Sequence, residues 1–257
     1  MTADTQVLDV SWDWMTACDV QERFMHQAGP AIATLSYSAR CRQMRALGGD
    51  FYDFMPLSHD RLALAIGDAS GKGLAAALMI SNVQSSLRTA ATFVGDDGPA
   101  LLTAVNRQVH VASLADRYAT LFYGVFDGAT RTLEYVNAGH NPPIVIRREG
   151  SIFPLAAAGV PLGIFPDSTY TPETIQLNPG DVILAYTDGV VEARNPAGEE
   201  WGIEGLGKSV RQTVGESIAQ SAEEIVREVF TSVDDFSQGQ QTDDATVAVV
   251  RVHRIGE

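Results

Sequence analysis

Between Arg61 and Gly67 the chain sets Leu62, Leu64 and Ile66 against Ala63 and Ala65, a two-residue period that predicts a strand. The second face is also apolar, only small, so the strand is expected to be covered on both sides. Two breaker-free runs rich in Ala, Leu and Met follow, Leu74–Phe93 and Pro99–Leu114, and predict two packed helices. Tyr118–Phe126 and Thr132–Asn137 read as strands joined by Asp127-Gly128-Ala129-Thr130, and Ile144–Arg148 is expected to pair with Ile152–Leu155 across Glu149-Gly150. The turn Asn178-Pro179-Gly180 precedes an apolar strand, Asp181–Thr187. Ser217–Ser232 is an amphipathic helix with Ala222, Ile225, Val226, Val229 and Phe230 as its buried stripe, and Ala245–Val252 closes the chain as a strand. At the other end, Ala31–Arg40 reads as a strand, preceded by a lead-in helix over Cys18–Gln27 that Gly29-Pro30 ends. No repeat, low-complexity tract or linker interrupts the pattern. It predicts one domain of antiparallel sheets with helices packed on them over residues 29–257, after a tail and lead-in helix over residues 1–28.

Composition narrows the setting. The 257 residues are 45% apolar and 19% charged, enough to bury a large core. No apolar run reaches the roughly 18 residues of a membrane span, and Met1-Thr2-Ala3-Asp4 lacks the basic-then-apolar order of a signal peptide, so the expected location is the cytoplasm. The two cysteines, Cys18 and Cys41, fit neither a zinc knuckle nor a disulfide framework and read as reduced thiols. A formal charge of −14 disfavours nucleic acid or an anionic membrane as partner.

Candidate chemistry lies in four acids, each where a strand or extended run meets a turn. Asp50 lies in Gly48-Gly49-Asp50-Phe51-Tyr52-Asp53, Asp68 in Gly67-Asp68-Ala69-Ser70-Gly71-Lys72-Gly73, Asp188 in Tyr186-Thr187-Asp188-Gly189, and Asp243 in Thr242-Asp243-Asp244-Ala245-Thr246. Two carboxylates about 4 Å apart repel by roughly 4 kcal/mol at an effective dielectric of about 20, so a convergent set needs protons or cations. All-oxygen coordination favours Mg²⁺ or Mn²⁺, and the lack of clustered His or Cys disfavours zinc. The pattern therefore suggests a two-metal hydrolase. Gly49 and Gly67 leave space beside their acids, while Gly71 and Gly73 permit a sharp turn that turns the Ala69 carbonyl toward an ion.

Taken singly, each motif has a plainer reading, since Asp beside Gly commonly starts a turn or caps a helix. Specificity comes from all four in this order. Gly48-Gly49-Asp50-Phe51-Tyr52 resembles the GGDEF signature of diguanylate cyclases but has Phe where that has Glu. Gly67–Gly73 is not a phosphate loop, because Gly73 replaces the Ser or Thr that holds magnesium. His140, at a strand-to-loop corner, reads as a structural hydrogen-bonding group, and Lys72 as an exposed turn residue, although it could attract a phosphate. Trp12, Trp14 and Trp201 read as packing or contact residues.

Those motifs, together with Asn137-Ala138-Gly139-His140-Asn141-Pro142-Pro143, Pro179-Gly180-Asp181 and Val190-Val191-Glu192-Ala193, resemble the successive signatures of the stage II sporulation protein E type serine phosphatases. These belong to the metal-dependent protein phosphatase (PPM) family, related to protein phosphatase 2C. The resemblance runs from about Val20 to Val252. It implies an α+β fold, a four-layer α-β-β-α sandwich of two stacked antiparallel sheets flanked by helices, with the metal centre at one end. It also implies two divalent cations, Mn²⁺ or Mg²⁺. Asp68 would bridge both, Ala69 would lend its carbonyl oxygen, Asp188 and Asp243 would ligate one ion and Asp50 would support the other. Asp244 is an alternative to Asp243 as ligand.

The implied reaction is attack of metal-bound water on a phosphoserine or phosphothreonine of a partner protein, without a phosphoenzyme. The family's usual substrate is a phosphorylated anti-sigma factor antagonist, a small STAS-type domain. Eukaryotic relatives hold the phosphate with an upstream arginine, and Arg40, Arg42 and Arg45 all lie in the corresponding stretch. With only about 17 residues before the lead-in helix, the activating signal is expected from a separate sensor or activator protein or from a homodimer. The lead-in helix is expected to pack on the helices after Asp68 and to govern completion of the site. The alternative reading is a catalytically silent PPM-like regulatory binding module, which the retention of all four acids disfavours.

Overall fold

The computed structural model describes residues 3–25, 29, 31–57, 60–114, 116–156, 159–216 and 221–253. In chain order the elements are α1 (Ala3–Met25), β1 (Leu35–Arg42), β2 (Asp50–Pro56), β3 (Arg61–Ala69), α2 (Leu74–Val94), α3 (Gly98–Ala112), β4 (Ala119–Asp127), β5 (Thr132–Ala138), β6 (Ile144–Ile146), β7 (Ile152–Pro154), β8 (Glu173–Gln176), β9 (Val182–Tyr186), α4 (Asp188–Val191), α5 (Gly202–Glu216), α6 (Ala222–Ser237) and β10 (Ala245–Val252). They form two five-stranded antiparallel sheets, ordered β1-β10-β9-β6-β7 and β2-β3-β4-β5-β8.

Strand parity builds three cores. Leu62, Leu64 and Ile66 of β3 join Tyr52 and Phe54 of β2 and meet Ile183, Ala185, Ala248 and Val250 of the other sheet, filling the space between the sheets. The small outward residues Ala63 and Ala65 admit α2 and α3, which bury Ile80, Val83, Leu87, Leu101, Leu102 and Val105 on that face. On the opposite side Leu184, Val247 and Val249 pack under Leu206 and Val210 of α5 and Ile225, Val226, Val229 and Phe230 of α6. Helices thus cover both outer faces, and the expected four-layer α-β-β-α arrangement is what the chain adopts.

Predicted and observed boundaries agree closely where alternation was strong, and differ where it was weak. The N-terminal helix is far longer than Cys18–Gln27: it starts at Ala3, so Trp12 and Trp14 lie on a helix, 67% and 40% exposed, and not on an extended tail. The predicted end at Gln27 and the Pro30 of the breaker fall outside the described residues. The first strand begins at Leu35, four residues later than the pattern suggested. Helix α6 starts at Ala222, because the Ser221 side chain caps the Glu224 amide while Glu224 answers on the Ser221 amide, a reciprocal box that fixes the start. Residues 217–220, where the predicted helix began, lie outside the described residues. Helix α5 escaped prediction because Gly202, Gly205, Gly207 and Gly215 depress its propensity, yet Leu206 and Val210 bury fully. Strand β8 is largely exposed and exists through its ladder to β5. No helix among the described residues is long and apolar enough to cross a membrane.

Candidate metal centre

Strand register brings the first two acids together. Asp50 opens β2 and faces Asp68, near the end of β3, as its cross-strand partner. Both share the parity of the residues that face the other sheet. From that sheet come Thr187, just past β9, and Thr246 of β10, each donating its hydroxyl to Asp50 Oδ2 at 2.7 Å. The Thr187 hydroxyl also accepts the Thr246 amide. Asp50 is therefore the stitch between the sheets at this end. It is 1% exposed, and among the described residues its Oδ1 has no hydrogen-bond partner. Asp188 follows Thr187 as the first residue of α4.

Burial and mutual repulsion leave these acids poorly suited to ionise unaided. Burial raises Asp50 to about 7 despite the two threonine hydroxyls, which pull the other way. Asp68 is raised to about 9, first by burial and then by the charges of Asp50, Asp188, Asp243 and Asp244. Asp188 is raised by burial and by Asp243 and Glu192, an effect that Lys72 and the Gly189 amide oppose. Asp68 is thus the acid on which all the others act.

The loops bring the remaining acids to this end. Gly71 and Gly73 have φ of +92° and +77°, so the chain turns sharply between β3 and α2, as expected. Lys72 at its tip donates to Asp243 Oδ2 at 2.5 Å. Asp244 points elsewhere: its two oxygens accept the amides of Met44 and Gly49 at 2.7 and 2.8 Å. A Cβ on Gly49 would lie 3.3 Å from the Ala69 carbonyl oxygen and 3.4 Å from Asp68 Oδ1, so this glycine does keep space beside the acid. Gly67 does not: a Cβ there would strike the Thr120 carbonyl at 2.6 Å and the Phe51 ring, so its role is close strand approach. Among the described residues no three acidic, His or Cys side chains stand close enough to chelate an ion as they are. The reason is visible in their present partners: threonine hydroxyls for Asp50, backbone amides for Asp244 and an ammonium for Asp243. An oxygen-only donor set and a buried, unpartnered Asp50 oxygen fit a hard divalent cation.

His140 stays out of the acids' chemistry. It is buried, its Nδ1 pairs with Thr120 Oγ1 at 2.9 Å, and its backbone is clasped by the Asn137 side chain. Burial lowers it to about 4, so it stays neutral and ties the loop to β4, the strand beside Asp68. The three arginines separate cleanly. Arg40 and Arg42 lie over the Phe230 ring of α6, and Arg42 pairs with Asp234, on the outer face of β1. Arg45 is exposed and its guanidinium lies 3.5 Å from where a Gly73 Cβ would be, beside the loop after Asp68.

Three residues at this end went unnoticed in the sequence. Thr187 and Thr246 sit inside the quoted motifs, and hydroxyls flanking an acid at a strand end were the available signal. Gln21 of α1 gave no signal: its side-chain amide donates to the Gly48 carbonyl at 2.8 Å and accepts the Gly48 amide at 3.2 Å, two residues before Asp50.

Comparison with known proteins places this architecture. Residues 58–253 match the family described as Stage II sporulation protein E (SpoIIE). Protein IcfG of Synechocystis is 32% identical over 209 residues, covering 71% of this chain and 33% of IcfG. The phosphoserine phosphatase RsbU of Bacillus subtilis is 28% identical over 238 residues, covering 91% of this chain and 68% of RsbU. The chain thus spans a third of one curated relative and about two thirds of the other. Among solved structures, the SiaA-PP2C domain of Pseudomonas aeruginosa superposes with a TM-score of 0.81 at 19% identity, covering 98% of this chain and 99% of that one. The sheet pair and the matched segment agree: the chain belongs to the stage II sporulation protein E family and has the protein phosphatase 2C fold.

Proposed function

We propose that the chain is a metal-dependent protein serine/threonine phosphatase that hydrolyses phosphoserine or phosphothreonine on a partner protein in the cytoplasm. The observation that carries this reading is Asp68, whose charge is opposed by four other carboxylates drawn from both sheets. Such an arrangement is costly without cations and useful with them. When bound, two Mn²⁺ or Mg²⁺ ions would lower the pKa of a water and neutralise charge on the phosphoryl group. The chain's own part is to place oxygens. Asp68 would hold both ions, Asp188 and Asp243 would ligate one of them, Asp50 would support the other, and Ala69 would lend its carbonyl oxygen. Asp244 holds the loop that carries Gly49, and Thr187 and Thr246 fix the rotamer of Asp50. Arg45 is assigned to the substrate phosphate, since Arg40 and Arg42 are engaged with α6. The substrate class carried over from the family is a phosphorylated anti-sigma factor antagonist of the STAS type.

The test is phosphate release from a phosphorylated antagonist protein with and without Mn²⁺. Release only with the metal supports the reading; binding of the phosphoprotein without any release assigns the chain to a silent binding module. In the same assay Arg45→Ala is expected to raise KM about tenfold with little change in kcat, as befits a charge-assisted contact to the ground-state phosphate. An unchanged KM would move the phosphate contact to another residue.

Helix α1 is assigned a regulatory role through Gln21 and through Gln84 of α2, whose side chain donates to the Phe24 carbonyl at 3.0 Å. Removing residues 1–28 strips the Gln21 contact from the Gly48-Gly49-Asp50 segment and the Phe24 contact from α2, and is expected to lower manganese-dependent turnover. Unchanged turnover together with an unchanged oligomeric state in sedimentation would remove the assignment.

A further inference from the structure

Lys72 is the cation set into the acid cluster. Its ammonium donates to Asp243 Oδ2 at 2.5 Å and lies 3.3 Å from the Thr242 carbonyl. It thereby joins the loop after β3, which belongs to one sheet, to the segment before β10, which belongs to the other. An exposed lysine–carboxylate pair ordinarily contributes little, because water and salt screen it. This one differs in its surroundings. The carboxylate it meets is one of those that repel Asp68, and the same ammonium also favours the ionised form of Asp188. The side chains of Lys72 and Asp243 are 45% and 37% exposed, so the contact is reached by water and can open.

We infer that Lys72 is a tethered counter-cation: it holds Asp243 in place before metal arrives and must yield that carboxylate to a divalent ion, so that it sets the metal affinity of the site. This deepens the proposed function and rests on it. Asp243 Oδ1 accepts the Asp244 amide at 2.9 Å, so the oxygen left for an incoming ion is Oδ2, the one that Lys72 already holds. The two flanking glycines, both at positive φ, shape the tight turn that presents the ammonium there. An ion entering the site therefore pays for the displacement of Lys72, and its dissociation constant is higher than that of a site without the lysine.

The experiment uses the full chain stripped of metal and titrated with Mn²⁺ alone, reading free manganese by its paramagnetic resonance signal. Wild type, Lys72→Met, Lys72→Arg and Asp68→Asn are compared. Lys72→Met keeps the stem and removes the charge, and is expected to bind Mn²⁺ about tenfold more tightly, the scale on which one unit charge acts on a divalent ion a few ångströms away through a water-like dielectric. Lys72→Arg, which keeps the charge, is expected to stay near wild type. Without metal, Lys72→Met is also expected to melt a few degrees lower than wild type, because nothing then offsets the repulsion at Asp243. Manganese binding that depends on Asp68 but is no tighter in Lys72→Met overturns this inference and leaves the proposed function standing. Absence of any Asp68-dependent binding overturns both. A Lys72→Arg variant that binds as tightly as Lys72→Met also overturns it, since charge would then not be the cause.

Discussion

Asp68→Asn is expected to abolish manganese-dependent phosphate release while making the metal-free chain more stable at neutral and alkaline pH. The loss of activity should reach about two to three orders of magnitude, the scale on which removal of a single preorganised electrostatic partner acts. The gain in stability follows from linkage. In the folded, metal-free chain Asp68 is raised from 3.8 to about 9 by burial and neighbouring acids. In the unfolded chain it ionises normally, so unfolding at neutral pH releases a proton. The folded state binds more protons than the unfolded one across the window from about 4 to about 9, and stability falls as pH rises through it. The raised pKa thus gives a contribution that is complete below the unfolded value and lost above the folded one. Asparagine keeps the shape and removes the titration. Thermal melts of metal-stripped protein between pH 5 and pH 9 check this: wild type should lose more of its melting temperature than Asp68→Asn, and excess Mn²⁺ should restore wild type alone. A variant that loses activity and also melts lower at pH 8 would show that Asp68 supports the fold by itself, contrary to the arrangement described. The expected opposition of signs is the mark of a residue placed for chemistry at a cost in stability.

Arg88→Met is expected to destabilise the chain by about 2–4 kcal/mol, the range for leaving a buried carboxylate without its partner, tempered by the partial exposure of the guanidinium. Asp53 lies on β2 beneath α2 and is 3% exposed. Arg88 holds it with two parallel bonds, Nε to Oδ2 at 2.6 Å and Nη2 to Oδ1 at 2.5 Å, and Gln84 adds a longer contact of 3.4 Å. This pair fixes α2 on the strand that begins with Asp50. Combining Arg88→Met with Asp53→Asn is expected to recover part of the loss, because the stranded charge disappears with its carboxylate. Urea unfolding of the single and double variants without metal measures both terms. A loss below about 0.5 kcal/mol for Arg88→Met would mean that water reaches Asp53 and that the pair does not anchor the helix.

Strong periodicity made much of the fold legible. The alternation in β3 gave the strand, and its small but apolar second face anticipated that both sides would be covered. Elements without such contrast were silent. Helix α5 carries glycines whose positions make sense only against Trp201 and Ile152, which approach Gly205 and Gly207 closely. The length of α1 was hidden because its exposed Trp12 and Met15 blur any apolar stripe. The candidate acids were legible at strand ends, since chain geometry places a strand's end at the rim of a sheet.

By itself the sequence determined which strands alternate, which helices bury a stripe, and that four acids stand at ends of extended segments. Local chemistry suffices for that, because backbone period and turn residues act between near neighbours. Only the tertiary structure decided that Asp243 meets Lys72 while Asp244 is spent on the amides of Met44 and Gly49. It alone set Arg45 beside the Gly73 turn and Arg40 and Arg42 on α6, and turned Thr187 and Thr246 toward Asp50. Those choices depend on strand register between segments far apart in the chain. Coulomb and hydrogen-bond energies follow distance through space, and adjacent residues of one strand point to opposite faces.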